Sequence, residues 1–94
     1  MSYTMRDAQH VCWKTYRKLG GSQDSPSAVS SLLEDVSKVS GIIKEESAEK
    51  AKQDLATKLP DVLYDVFVLA EQFGINIEEV FLQSVNDRIL SSLP

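Results

Sequence analysis

Cysteine and histidine are almost missing from this chain. Cys12 and His10 are each the only residue of their kind among 94, so no intrachain disulfide can form and a thiolate zinc site has no second sulfur. A Ser-His-Asp triad would have to be built on His10 alone, and no nucleophile elbow surrounds any serine. Glycine-rich phosphate loops and internal repeats are absent as well. No apolar run approaches 18 residues and the N-terminus has no apolar signal-peptide core, so neither a membrane span nor secretion is expected and a cytoplasmic location is the default.

Basic excess is lacking too. The net charge is −4, which argues against a nucleic-acid polymer held by its backbone phosphates. Arg6, Lys14, Arg17 and Lys18 cluster locally, but they read as the solvated side of a helix. What remains is a chain 43% hydrophobic and 26% charged, sufficient for one compact domain over residues 1–94 and too apolar for disorder. Small amphipathic helical chains often complete their cores by oligomerising.

The periodicity is helical throughout, predicting an all-α four-helix chain. From Thr4 to Leu19, apolar side chains recur at Met5, Ala8, Cys12, Tyr16 and Leu19, and Gly20-Gly21 ends the run. Ser25 before Pro26 looks like an N-cap followed by proline at the first helical position. A second helix from about Pro26 to Lys44 would turn Val29, Leu32, Leu33, Val36, Val39 and Ile43 inward. Residues 45–57 form a charged connector, read as a solvated face, with a third helix starting near Ser47 and ending at Gly74. Its apolar positions include Leu59, Val62, Leu63, Val66, Phe67, Ala70 and Phe73.

Pro60 interrupts this third pattern and predicts a kink or a fresh start near Ala56–Pro60. A fourth helix from Ile77 to about Leu90 has Asn76 as its cap, Glu79 to complete a capping box, and Ile75 with Val80 as a hydrophobic staple. Phe67, Phe73 and Phe81 are expected in the core. Enzyme chemistry in such a chain falls to carboxylates.

Three segments, Leu32-Leu33-Glu34-Asp35-Val36-Ser37-Lys38-Val39, Lys58-Leu59-Pro60-Asp61-Val62-Leu63-Tyr64 and Phe73-Gly74-Ile75-Asn76-Ile77-Glu78-Glu79-Val80-Phe81, carry a resemblance to the MazG family over about residues 5–90. That family consists of all-α nucleoside triphosphate pyrophosphohydrolases. The resemblance implies a four-helix MazG-like bundle whose core is completed by a homodimer or homotetramer, with the second and third helices packing across a two-fold interface. It also implies that carboxylates in a Glu-Glu-x-x-Glu pattern and a Glu-x-x-Asp pattern bind magnesium beside the triphosphate, a cation suited to hard oxygen ligands.

Carried over residue by residue, the first pattern falls on Glu34, Asp35 and Lys38, and the second on Lys58 and Asp61. Two ligand positions have therefore reversed sign. Pro60 departs from the small residue usual before that aspartate, and Ser84 and Arg88 stand where the family commonly has a phosphate-binding lysine and an asparagine. An ammonium about 4 Å from a carboxylate attracts it by roughly 4 kcal/mol at a mid-range effective dielectric, so each lysine competes with a metal for the same oxygens. If the two helices face each other as in the family, Asp35 should pair with Lys58 and Lys38 with Asp61.

The resemblance thus implies a degenerate metal site with no resident metal. Its activity would be non-catalytic or limited to weak nucleotide binding, and no catalytic residue is assigned. The alternative is a magnesium-dependent pyrophosphohydrolase that releases pyrophosphate from a (deoxy)nucleoside triphosphate through Glu34, Asp35 and Asp61, with Asp65 one turn beyond Asp61 able to join them. Trp13, Tyr16 and Tyr64 are candidates for a base pocket, because family members stack the nucleobase near the first and third helices; by spacing alone they read more readily as helix packing.

Overall fold

The computed structural model describes residues 3–94, which form four helices: α1 Met5–Lys18, α2 Ser25–Glu45, α3 Ala48–Gln72 and α4 Ile77–Ser91. Each start is fixed by a side chain that accepts from an otherwise orphaned amide. Thr4 and Asp7 form a reciprocal capping box on α1, Ser47 accepts from Lys50 N–H on α3, and Asn76 accepts from Glu79 N–H on α4. The α2 cap is Asp24, whose Oδ1 accepts from Ser27 N–H at 3.0 Å, not the expected Ser25. Proline tolerates the second position of the first turn as well as the first, because neither amide has a helical partner, so Pro26 did not specify which residue precedes it.

Only Glu46 and Ser47 separate α2 from α3, which makes the two an antiparallel hairpin. The α2–α3 contact is the most extensive in the molecule, α1 packs against α3, and α4 touches α1 along a short stretch. At about 1.5 Å per residue, the 25 residues of α3 span about 37 Å, and this helix serves as the spine. It runs unbroken through Pro60, so the expected fresh start does not occur. Pro60 and Ala56 are both exposed, so water can solvate the carbonyl that proline leaves without a partner.

The inward face of α2 also differs from expectation. The less exposed stripe is Ala28, Leu32, Asp35, Val39 and Ile42, while Val29, Leu33, Val36 and Ile43 face outward. Two apolar stripes of helical period overlap in this sequence, and the hairpin uses the one with the small Ala28 at its start and an acid at its middle. Similarly, Phe67 is buried beside Val68 and Ala70, but Phe73 and Phe81 are exposed. The single-chain core closes around the C-terminal half of α3 and leaves these two rings outside it.

A polar clamp sets the position of α1. The Gln9 side chain is 2% exposed; its Nε2 donates to Glu71 Oε2 and to the Ile75 carbonyl, both at 2.7 Å, and its Oε1 accepts from Ile77 N–H at 3.0 Å. His10 Nδ1 lies 2.9 Å from Glu71 Oε1, and Gln72 Nε2 donates to the carbonyls of Ser22 and Asp24. The end of α3 thereby holds α1, the α1–α2 turn and the start of α4.

Gln9→Ala leaves a buried amide, carbonyl and carboxylate oxygen without this partner, and is expected to destabilise the fold by about 2–3 kcal/mol in urea denaturation. Gly41 lies within α2, and a methyl group added there would meet only open space. Gly41→Ala should therefore stabilise the fold by about 0.5–1 kcal/mol in the same assay, through helix propensity alone.

Candidate functional site

The turns of α2 and α3 that face each other near mid-hairpin bring Ser31, Glu34, Asp35, Asp61, Tyr64 and Asp65 around one cavity of about 260 Å³. Helical spacing accounts for the grouping: residues 31, 34 and 35 lie one turn apart on α2, as do 61, 64 and 65 on α3. Four of the six lining side chains are acidic and none is basic. Asp61 and Asp65 do share a face. Ser31 was the lining residue not foreseen, although its place one turn before Asp35 is a sufficient signal.

Neither lysine crosses the hairpin. Lys38 Nζ lies 3.2 Å from Glu34 Oε1 on its own helix, and Lys58 Nζ lies 3.2 Å from Asp61 Oδ2 on its own helix. The expected pairs Asp35–Lys58 and Lys38–Asp61 are therefore replaced by an i,i+4 pair and an i,i+3 pair. The reason is local: these spacings place opposite charges on adjacent turns, and a long ammonium stem meets its helical neighbour without bridging to another helix.

Asp35 instead faces Asp65. Asp65 is 7% exposed, and no donor from the described residues reaches its Oδ2. Burial, then the hydrogen-bonded Asp35 carboxyl, then the charges of Asp35, Asp61 and Glu34, push Asp65 up to about 7 from its ordinary 3.8. A second carboxyl pair, Glu46 with Asp54, sits at the closed end of the hairpin, and hydrogen bonding between the two raises Glu46. The connector is thus largely solvated, as expected, except at this pair.

The oxygen donors have the right hardness for magnesium, but their arrangement does not fit the ion. Among the described residues, no three Asp, Glu, His or Cys side chains are placed to hold one metal, and two of the four pocket carboxylates are already paired with lysine.

The aromatic residues divide. Trp13 and Tyr16 stack on each other with centroids 5.9 Å apart, and the Arg17 guanidinium lies 5.9 Å from the Trp13 ring centroid. Tyr64 belongs to the acidic cavity, and its phenol is raised chiefly by burial, with smaller effects from Cys12, Asp65 and Tyr16. Gly21 packs on the Tyr16 ring so closely that a methyl group there would lie within 3 Å of it. Ser84 lies elsewhere, in an apolar groove beside α4, and Arg88 is exposed near the end of α4.

No protein-family model, curated protein or solved structure matches the chain. Among the described residues no helix is long and apolar enough to cross a membrane.

The Asp65 environment has a pH signature. Its folded-state pKa lies above the unfolded value, so the folded chain binds the extra proton between roughly pH 4 and pH 7 and loses stability as pH rises through that window. Urea denaturation at about pH 5 and about pH 8 should show the parent losing stability at the higher pH. Asp65→Asn should reduce that loss, and the residual slope would report Glu46, which acts in the same direction.

Proposed function

We propose that the chain is a MazG-like helical module whose triphosphate site no longer supports metal-dependent hydrolysis. It acts by association or by weak nucleotide binding, without turnover. The observation that carries this reading is the attachment of Lys38 to Glu34 and of Lys58 to Asp61. Each lysine stands at a position where the resemblance implies an acidic ligand, and each neutralises a neighbouring one. Asp65, pushed up to about 7 by burial and by Asp35, carries less negative charge at neutral pH than an ordinary aspartate, which further lowers the charge available to a cation. These exposed pairs contribute at most about 1 kcal/mol each to stability; their effect on a ligand is to occupy oxygens.

A nucleotide triphosphate and an acidic pocket repel one another unless a cation lies between them. Nucleotide binding by this module is accordingly expected to be weak. The runner-up reading is a magnesium-dependent nucleoside triphosphate pyrophosphohydrolase that uses Glu34, Asp35 and Asp61. It draws support from four carboxylates lining one cavity, two of which, Asp35 and Asp65, have no lysine paired with them.

A panel of ribo- and deoxynucleoside triphosphates with magnesium distinguishes the two. The parent chain should release no pyrophosphate, and Lys38→Glu/Lys58→Glu should gain magnesium-dependent thermal stabilisation. Turnover by the parent that disappears in Asp61→Asn would overturn the non-catalytic reading in favour of the hydrolase.

A further inference from the structure

We infer that the acidic cavity between α2 and α3 binds a short aliphatic diamine through its ammonium groups. Such binding does not rest on the non-catalytic reading, since it involves neither a metal nor a nucleotide. The Asp65 side chain, 7% exposed, lines the cavity, and no donor from the described residues reaches its Oδ2. A carboxylate oxygen withdrawn from water without a donor is costly, so a donor entering from outside relieves that cost.

The lining sets the chemistry of that donor. Four carboxylates and the hydroxyls of Ser31 and Tyr64 surround the space, all of them able to accept. Lys38 and Lys58 occupy Glu34 and Asp61 from outside the lining, which leaves Asp35 and Asp65 as two carboxyls without a cation. A dication matches that charge. Magnesium asks for oxygens at about 2.0–2.1 Å around one point, and among the described residues no three Asp, Glu, His or Cys side chains meet such a demand. An ammonium carries three N–H donors, each reaching an oxygen at about 2.7–3.2 Å, and so serves oxygens set farther apart.

The cavity also has a direction. Its inner end is the buried Asp65, whereas the side chains of Glu34 and Asp61 are 69% and 49% exposed and form its mouth. Asp61 and Asp65 are one helical turn apart on α3, about 5.4 Å along the axis. One ammonium of a diamine lies between Asp35 and Asp65, and the other meets Glu34 and Asp61, where the exposed lysine pairs hold only weakly. The Tyr64 ring flanks the methylenes that join them. At about 260 Å³ the space falls just below pockets for drug-sized ligands, about 300–1,000 Å³, which suits so small a molecule.

Isothermal titration calorimetry of the full chain with putrescine, in mildly alkaline buffer of fixed ionic strength containing EDTA and no nucleotide, tests the assignment separately from the pyrophosphate panel. The parent should bind putrescine about 10-fold or more tightly than butylamine, which lacks the second ammonium, and should not bind tetramethylammonium, which has no N–H donor. Asp35→Asn and Asp65→Asn should each weaken putrescine about 10-fold or more, with helical circular dichroism retained. Asp87→Asn, an equal loss of charge on α4, should leave the affinity unchanged. Amide NMR of the parent needs no variant: putrescine should shift residues 31–35 and 61–65 above all others. A parent that does not bind putrescine at millimolar concentration would overturn the inference. So would equal affinity for tetramethylammonium, undiminished binding in both cavity variants, or amide shifts confined to other segments.

Discussion

The hydrogen bonds of one buried amide hold the tertiary arrangement of this chain together. Gln9 projects from α1 into the corner where α3 ends and α4 begins, and both ends of its side chain are satisfied there. A buried amide so placed has little freedom to slide, because any shift in register would leave a donor or acceptor without a partner. Glu71 receives both Gln9 and His10, and the adjacent Gln72 secures the α1–α2 turn. The α2–α3 hairpin is held by its short link and its own packing; Gln9 ties α1 to the corner between α3 and α4.

The sequence was most legible where structure is set by residues close together in the chain. Ser47, Asn76 and Gly74 marked the helix ends because capping and left-handed termination are local physics, and Gly74 indeed has φ of +66°. Orientation about each helix axis was less legible. Two apolar stripes run along α2, and only tertiary packing decides that Ala28, Leu32 and Val39 turn inward with Asp35 among them. Gln9 gave no signal, since a polar residue one position off an apolar stripe reads as solvent-facing until its partners are known.

The acidic cavity shows the same division. That Glu34, Asp35, Asp61 and Asp65 would gather between α2 and α3 could be read from helical spacing combined with the family resemblance, and they do line one cavity. The fate of the two lysines could not. Family geometry directed them across the hairpin, whereas the shortest route for each led to a carboxylate on its own helix. Whether a side chain bridges two helices or folds along one depends on a few ångströms of stem length, which composition and spacing do not encode.

The Trp13 stack offers the experimentalist an optical handle. As the only tryptophan, ringed by Tyr16 on one side and the Arg17 cation on another, its indole emission comes from a single known address on α1. Cys12 is its sequence neighbour, a half-buried thiol whose pKa is raised by desolvation, so thiol-directed dyes should label it slowly at neutral pH. Fluorescence from this chain therefore reports the Trp13–Tyr16–Arg17 cluster of α1 without any introduced probe.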